Sequence, residues 1–303
     1  MCQALILSKP TPQEPLCPNI HSLNWRDRDN NDDVFPYIRL LLTPSTKRLA
    51  LYSNEVGMTN ISVILSLPRD FPGITHLNFE ATDDMDDRTI SDAVCQWNEL
   101  QSFTWQNSNL THHALIHLAN LSNLQDISIS LPELDETDET DWQNHLSSFH
   151  QPGFRALRNA QFSCEHISSC TLLMDLASPQ CPIECMTVKI SQGPDVISLR
   201  NFFQKLNARC SQMTLTQLSI ICDSDLWPTP PFADEHIIDE ETFRLLLGFP
   251  NMRRITFNVP RPFKLGMKIL GDIATSWTQL QSLAIGSPGG SRGHSQITLA
   301  GGL

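Results

Sequence analysis

Down the whole chain a short run of the form apolar-x-x-apolar-x-apolar recurs, often directly after Pro-Asn or another turn-forming pair. Its copies are PNIHSLNW, STKRLALY, PGITHLNF, NELQSFTW, SNLQDISI, RALRNAQF, PIECMTVK, TLTQLSII, PNMRRITF and TQLQSLAI. The first anchors are Ile20, Thr46, Ile74, Leu100, Leu124, Leu157, Ile183, Leu215, Met252 and Leu280, spaced by steps of 24 to 37 residues. The second half of each run alternates apolar with polar, as in Leu23-Asn24-Trp25 and Leu77-Asn78-Phe79, which is the two-residue period of a half-buried strand. Between the runs the apolar positions move to helical spacing, over 111–121, 168–177, 196–210 and 241–249. Thr111 and the Asp239 to Thr242 segment fit helix N-caps, and Gly248 and Pro250 fit helix stops. Each unit therefore reads strand, loop, helix, loop.

One such unit cannot bury its apolar face alone, whereas stacked neighbours share a continuous core. The expected fold class is α/β: a curved solenoid with parallel strands on its concave face and helices on its convex face. It would form a single array of about ten units over residues 1–303, with poorly ordered or truncated ends at 1–15 and 286–303. Most steps fall in the roughly 20–29-residue period of leucine-rich repeats. A doubly wound α/β domain also alternates strands and helices, but its strands are longer apolar runs without a fixed turn-and-anchor frame. The frame predicts burial of Leu23, Trp25, Leu77, Phe79, Phe103, Trp105, Ile127, Ile129, Leu218, Ile220, Ile255, Phe257, Leu283 and Ile285.

The turns in CPNIHSL, FPNMRRI, FPGITHL, LSNLQDI and WTQLQSL, together with the uneven unit length, resemble the leucine-rich-repeat region of fungal F-box proteins, over residues 16–285. In that family an N-terminal F-box opens on a Leu-Pro-x-Glu-like helix start and holds the adaptor of a cullin-type ubiquitin ligase, while the repeats present the target. No such pattern lies upstream of Leu16. The resemblance thus implies the substrate-recognition repeats, with an adaptor as partner only if an F-box belongs upstream. Gln296 to Leu303 reads as the start of a further helix, as expected of a truncated array. A stand-alone leucine-rich-repeat binding or inhibitor protein is an alternative. A GTPase-activating repeat protein is a lesser one, since it needs an exposed polar residue reaching the nucleotide.

Charge narrows the partners. A net charge of -12 opposes generic binding to nucleic acid or anionic membrane, both of which need basic surface. The sequence lacks an apolar run of membrane-spanning length, and Met1 to Pro10 does not form a signal peptide. Nine cysteines, mostly inside apolar patterns, suit free thiols in a reducing compartment. The expected location is intracellular, cytoplasmic or nuclear, which makes the N-x-S/T matches at Asn60, Asn109 and Asn120 chance occurrences.

Candidate chemistry is sparse. His112 and His113 point about 100° apart on a helix, and His113 with His117 lacks the glutamate of a zinc-protease motif. Cys181-x-x-x-Cys185, with Cys164, His166 and Cys170 nearby, has zinc-like spacing, but Pro182 and Ile183 belong to the strand frame. No nucleophile elbow, P-loop or dinucleotide fingerprint is present, and Ser287 to Gly293 reads as a flexible loop. The acidic runs 27–33, 83–87, 133–141 and 234–241 fall between strand and helix, where carboxylates cap helices and solvate the rim. The expectation is a chain without catalytic residues, cofactor or metal. Its protein partner would land on the outward strand positions: Asn24, Arg26, His76, Asn78, Glu80, Thr104, Gln106, Ser128, Thr187, Lys189, Arg254, Thr256 and Asn258. Ser22, Ser102, Asp126, Gln217 and Ser219 share that face, and Arg254 and His76 are the strongest candidates for contact.

Overall fold

A computed structural model describes residues 16–27, 37–53, 58–81, 87–133, 142, 153–222 and 237–286. The end segments 1–15 and 287–303, the Ser287 to Gly293 loop and most of the acidic runs lie outside the described residues. The chain divides into two compact units, Met1–Asn123 and Leu124–Leu303. Among the described residues no helix is long and apolar enough to cross a membrane.

The first unit holds strands β1 (Ser22–Asp27), β2 (Arg48–Ser53), β3 (His76–Ala81) and β4 (Ser102–Asn109). Helices α1 (Ile38–Leu41), α2 (Met58–Asp70), α3 (Asp87–Val94) and α4 (His112–Asn120) alternate with them. The second unit holds β5 (Asp126–Ser130), β6 (Asn159–Cys164), β7 (Cys185–Ile190), β8 (Gln217–Cys222), β10 (Arg254–Asn258) and β12 (Ser282–Ile285). A short pair, β9 (Ile238–Asp239) and β11 (Phe263–Lys264), lies apart from this sheet. The second unit's helices are α5 (Ile167–Leu173), α6 (Val196–Arg209), α7 (Glu240–Arg244) and α8 (Met267–Ser276). Within each unit the pairings of this sheet are parallel and in sequence order, and among the described residues helices lie between most of its strands: an α/β leucine-rich-repeat solenoid.

Each strand begins after a tight turn. The anchor N–H bonds back three residues, Ile74 to Phe71, Leu157 to Phe154, Met252 to Phe249 and Leu280 to Trp277, at 3.0–3.4 Å. Proline at the second turn position in Phe71-Pro72-Gly73 and Phe249-Pro250-Asn251 fits this geometry, because its fixed φ suits the first central residue of a turn. Phe154, Phe249 and Trp277 then bury their rings beneath the turn. The copy starting at Thr43 has no such ring. There Thr43 and Thr46 are both buried and both donate their hydroxyls to the Ile20 carbonyl, at 3.3 and 3.0 Å.

Register stacks the anchors into rows. In the first unit these are Leu23, Leu49, Leu77, Phe103 and then Trp25, Leu51, Phe79, Trp105. Phe79 and Trp105 stack with ring centroids 4.6 Å apart. In the second unit Ile127, Ala160, Met186, Leu218, Ile255 and Leu283 form one row, and Ile129, Phe162, Val188, Ile220, Phe257 and Ile285 the other. Most of the predicted anchors are buried, but Leu23, Trp25 and Ile285 are half-buried and Leu283 is 38% exposed. The reason is position: β1 and β12 are the outer strands of their units, each flanked on one side only among the described residues.

The helices start where side chains supply the missing acceptor. Thr111 Oγ1 accepts from Ala114 N at 3.5 Å, Asp195 from Ser198 N at 2.7 Å and Asp239 from Thr242 N at 3.1 Å. Partial burial alone would raise the Asp195 carboxyl, but the backbone N–H and hydroxyl of Ser198 outweigh it and hold the group below the ordinary aspartate value. At Asp239 burial is likewise outweighed, by Arg200 and by both groups of Thr242.

Two predictions follow the packing and the caps. Phe103→Ala should destabilise the chain by roughly 3–5 kcal/mol through the cavity it leaves, and Leu283→Ala by well under half as much. Equal losses of the two in urea melts would contradict the outer-strand account. Asp195→Ala should cost about 1 kcal/mol at neutral pH. A carboxyl held below its ordinary value contributes fully above that value, and the contribution is lost as pH falls through the depressed one. The gap between parent and variant should therefore close in strong acid, and a gap of unchanged size there would contradict the cap.

Candidate functional site

The outward strand positions form a polar face in each unit. In the first unit the rows are Ser22, Arg48, His76, Ser102; then Asn24, Ala50, Asn78, Thr104; then Arg26, Tyr52, Glu80, Gln106. Asn24, Arg26 and Glu80 are exposed, while His76, Asn78, Thr104 and Gln106 are half-buried. The Arg26 guanidinium lies over the Tyr52 ring, 4.8 Å from its centroid, and Asn78 Nδ2 donates to the Tyr52 hydroxyl at 2.9 Å. His76 Nδ1 meets the Thr75 hydroxyl at 2.9 Å. Arg48 and Tyr52 are additions to the predicted set. The alternation in STKRLALY points them outward by the same rule that places Asn24 and Asn78, so the signal was present in the sequence.

In the second unit Asp126, Asn159, Cys185, Gln217, Arg254 and Ser282 share one row. The next row is Ser128, Gln161, Thr187, Ser219, Thr256 and Ala284, and beyond it lie Ser130, Ser163, Lys189, Ile221 and Asn258. Asn159, Gln161 and Ser163 again join the predicted residues by the frame of RALRNAQF. Asn159 donates to Asp126 at 2.5 Å, and Arg158 is ion-paired with Glu184. Arg254 is exposed and Lys189, Thr187, Ser128, Thr256 and Asn258 are half-buried. Burial, and then the charge of Glu184, push the Cys185 thiol up, opposed by Thr216 and Arg254. Cys185 is therefore a neutral, weakly reactive member of this face.

The other candidate groups are held by their surroundings. His113 Nδ1 meets Cys95 Sγ at 3.3 Å, whereas His117 Nε2 donates to the Trp97 carbonyl at 3.0 Å, so the two imidazoles serve different contacts. Cys181 donates to the Phe154 carbonyl at 3.1 Å, and burial pushes its thiol up to about 12. Cys185 points to the polar face while Cys181 is buried at a turn, so this pair does not converge on one ion. Cys164 and Cys170 approach to 3.5 Å, both buried, and burial pushes the Cys170 thiol well up. The ligand atoms of Glu133, Glu165 and His166 lie within 4.8 Å of one another. A hydrogen bond that the protonated Glu133 carboxyl donates to Glu165, then the charge of Glu165, raise the Glu133 carboxyl. Two carboxylates and an imidazole make a mixed oxygen and nitrogen donor set, of the kind that suits a transition-metal ion more than calcium or magnesium. Sequence spacing concealed it, because Glu133 follows β5 and the other two follow β6, and only the stacking of neighbouring strands brings them together.

No protein-family model matches the chain, and no curated protein matches it in sequence. Solved structures do resemble it. A chain of the yeast Rad7 and Elc1 complex is 14% identical with a TM-score of 0.44, over 84% of this chain and 65% of that one. A protein from Bacteroides fragilis is 10% identical with a TM-score of 0.41, over 93% of this chain and 70% of that one. The chain thus spans less than two thirds of the length of the first of these.

Proposed function

We propose that this chain is a binding scaffold that works without catalysis, and that it serves as the substrate-recognition repeats of an F-box-type subunit of a cullin-RING ubiquitin ligase. The observation that carries the binding reading is the polar strand face itself. Register sets its side chains in rows on a rigid sheet, so a partner that contacts them need not order them first, which lowers the entropic cost of association. Ten of the fifteen outward residues of β5, β6, β7, β8 and β10 carry hydroxyls or amides, the others being Asp126, Cys185, Lys189, Ile221 and Arg254, a composition suited to hydrogen-bonding a peptide or a folded surface. The ligase reading draws on the turn style and uneven units that resemble fungal F-box proteins. On that reading the ligation chemistry belongs to partner subunits. The described cysteines are all free thiols, which supports an intracellular setting.

The test is capture of partners from cells with the intact chain, repeated with the Lys189→Glu, Arg254→Glu double variant. The double variant should lose the partner by at least roughly tenfold while its melting temperature stays unchanged. Undiminished capture would move the site off this face. The captured partner should also turn over more slowly in cells lacking the chain. An unchanged lifetime would favour a stand-alone binding or inhibitor protein over a ligase subunit.

A further inference from the structure

On the strand side of the first unit three cations stand without an ion-pair partner among the described residues: Arg26, Lys47 and Arg48. Register sets Arg48 between Ser22 and His76, and the positions just before them are His21, Lys47 and Thr75. Two histidines, a lysine and an arginine thus lie together at the start of these strands, Arg48 and His76 on the polar face and His21 and Lys47 in the positions just before it. Lys47 Nζ donates to the Gly73 carbonyl at 3.0 Å, which fixes the ammonium group without neutralising it. Arg26, at the other end of its strand, rests on the Tyr52 ring. The described acid on this face is Glu80, in the row of Arg26 but two strands away and not ion-paired with it.

This arrangement contrasts with the helical side of the second unit. There Arg200 pairs with Asp239, Lys205 and Arg209 with Asp175, and Arg244 with Glu240, Glu241 and Asp272. The chain has a net charge of -12, and still no carboxylate among the described residues is matched to these three cations. Its overall field repels acidic partners, so a local patch of unpaired cations is where one could land.

We propose that the polar face of the first unit docks an acidic polypeptide segment, rich in aspartate and glutamate, extended along β1 and β2. Arg48 and Tyr52 are four strand positions apart, and Arg26 sits beside Tyr52, which places the two guanidinium roots about 13 Å apart along the strand. An extended segment with acids at every fourth position repeats at the same distance, presenting one carboxylate to Arg48 and Lys47 and the next to Arg26. Between them the small side chain of Ala50 leaves room for the segment's backbone, and the exposed Asn24 amide can bond to it. This proposal rests on the binding-scaffold reading and gives its partner a chemistry.

The experiment uses the full chain and a short fluorescent peptide with glutamate at every fourth position and serine between, read by anisotropy. The glutamate peptide should bind, bind more weakly as salt is raised, and lose at least roughly tenfold in affinity with the Arg26→Glu, Lys47→Glu, Arg48→Glu variant. The Lys189→Glu, Arg254→Glu variant should bind it as the parent does. Equal binding of a glutamine counterpart, or undiminished binding by the triple variant, would overturn the proposal. So would binding of a phosphoserine counterpart without binding of the glutamate peptide. If charge reversal lowers the melting temperature, the milder Arg26→Gln, Arg48→Gln variant decides in its place, with a smaller loss expected and no loss counting against the proposal. A peptide that fails while cellular partners are still lost through Lys189 and Arg254 would sink this inference and leave the scaffold reading standing.

Discussion

One carbonyl at the start of each strand accepts two successive N–H groups from the next strand, and the arrangement of every side chain depends on it. His21, Lys47 and Thr75 play this part in the first unit, and Gln125, Arg158, Glu184, Thr216 and Arg253 in the second, with distances of 2.7–3.1 Å. Two such bonds contribute only about 1–3 kcal/mol net. Their importance is register: a slip of one residue turns every side chain to the opposite face. For β10 that would expose Ile255 and Phe257, at about 1.5–3 kcal/mol each, and press Arg254 into the core. The forked bonds select the register, and the anchors make any other register costly.

The tight turn before each strand delivers the chain to that fork, and two chemistries build it. Phe154, Phe249 and Trp277 hold their turns by burying a ring, whereas Thr43 and Thr46 hold theirs through hydroxyls on the Ile20 carbonyl. Phe154 also has φ of 52°, a left-handed conformation that a bulky residue adopts only when its surroundings enforce it. Its buried ring and the bond from Cys181 to its carbonyl supply that enforcement.

The sequence made the periodic part of this fold legible, because anchors and outward residues follow one frame. Helices at 112–120 and 196–209 lie where helical spacing and the Thr111 cap put them. Burial at the outer strands was not legible, since Leu283 has the same local pattern as Ile255 and differs only in what flanks it. The small pair of β9 and β11 was missed for a related reason: two residues per strand leave no period to read. On the candidate face the frame named Asn24, Asn78 and Arg254, and applied to every copy it also names Arg48, Tyr52 and Gln161. The grouping of Glu133 with Glu165 and His166 has no sequence signal, because it depends on the loops after two neighbouring strands meeting in space.

Charge pairing follows the same division between local pattern and stacked structure. Nothing adjacent in sequence marks Arg200 as paired, since Asp239 reaches it from the following helical segment, nor Arg48 as lacking an ion-pair partner among the described residues. The difference comes from the two sides of the repeat. On the helical side, caps and first turns bring aspartate and glutamate close to the arginines of the neighbouring helix, and those pairs hold adjacent repeats together. On the strand side the outward positions are mostly hydroxyls and amides, so a cation there meets few carboxylates among the described residues. A carboxylate arriving at a paired arginine must displace an existing partner and recovers little. At Arg48 or Arg254 no described carboxylate has to be displaced, so the same Coulomb attraction becomes net affinity at the strand face and not at the helical one.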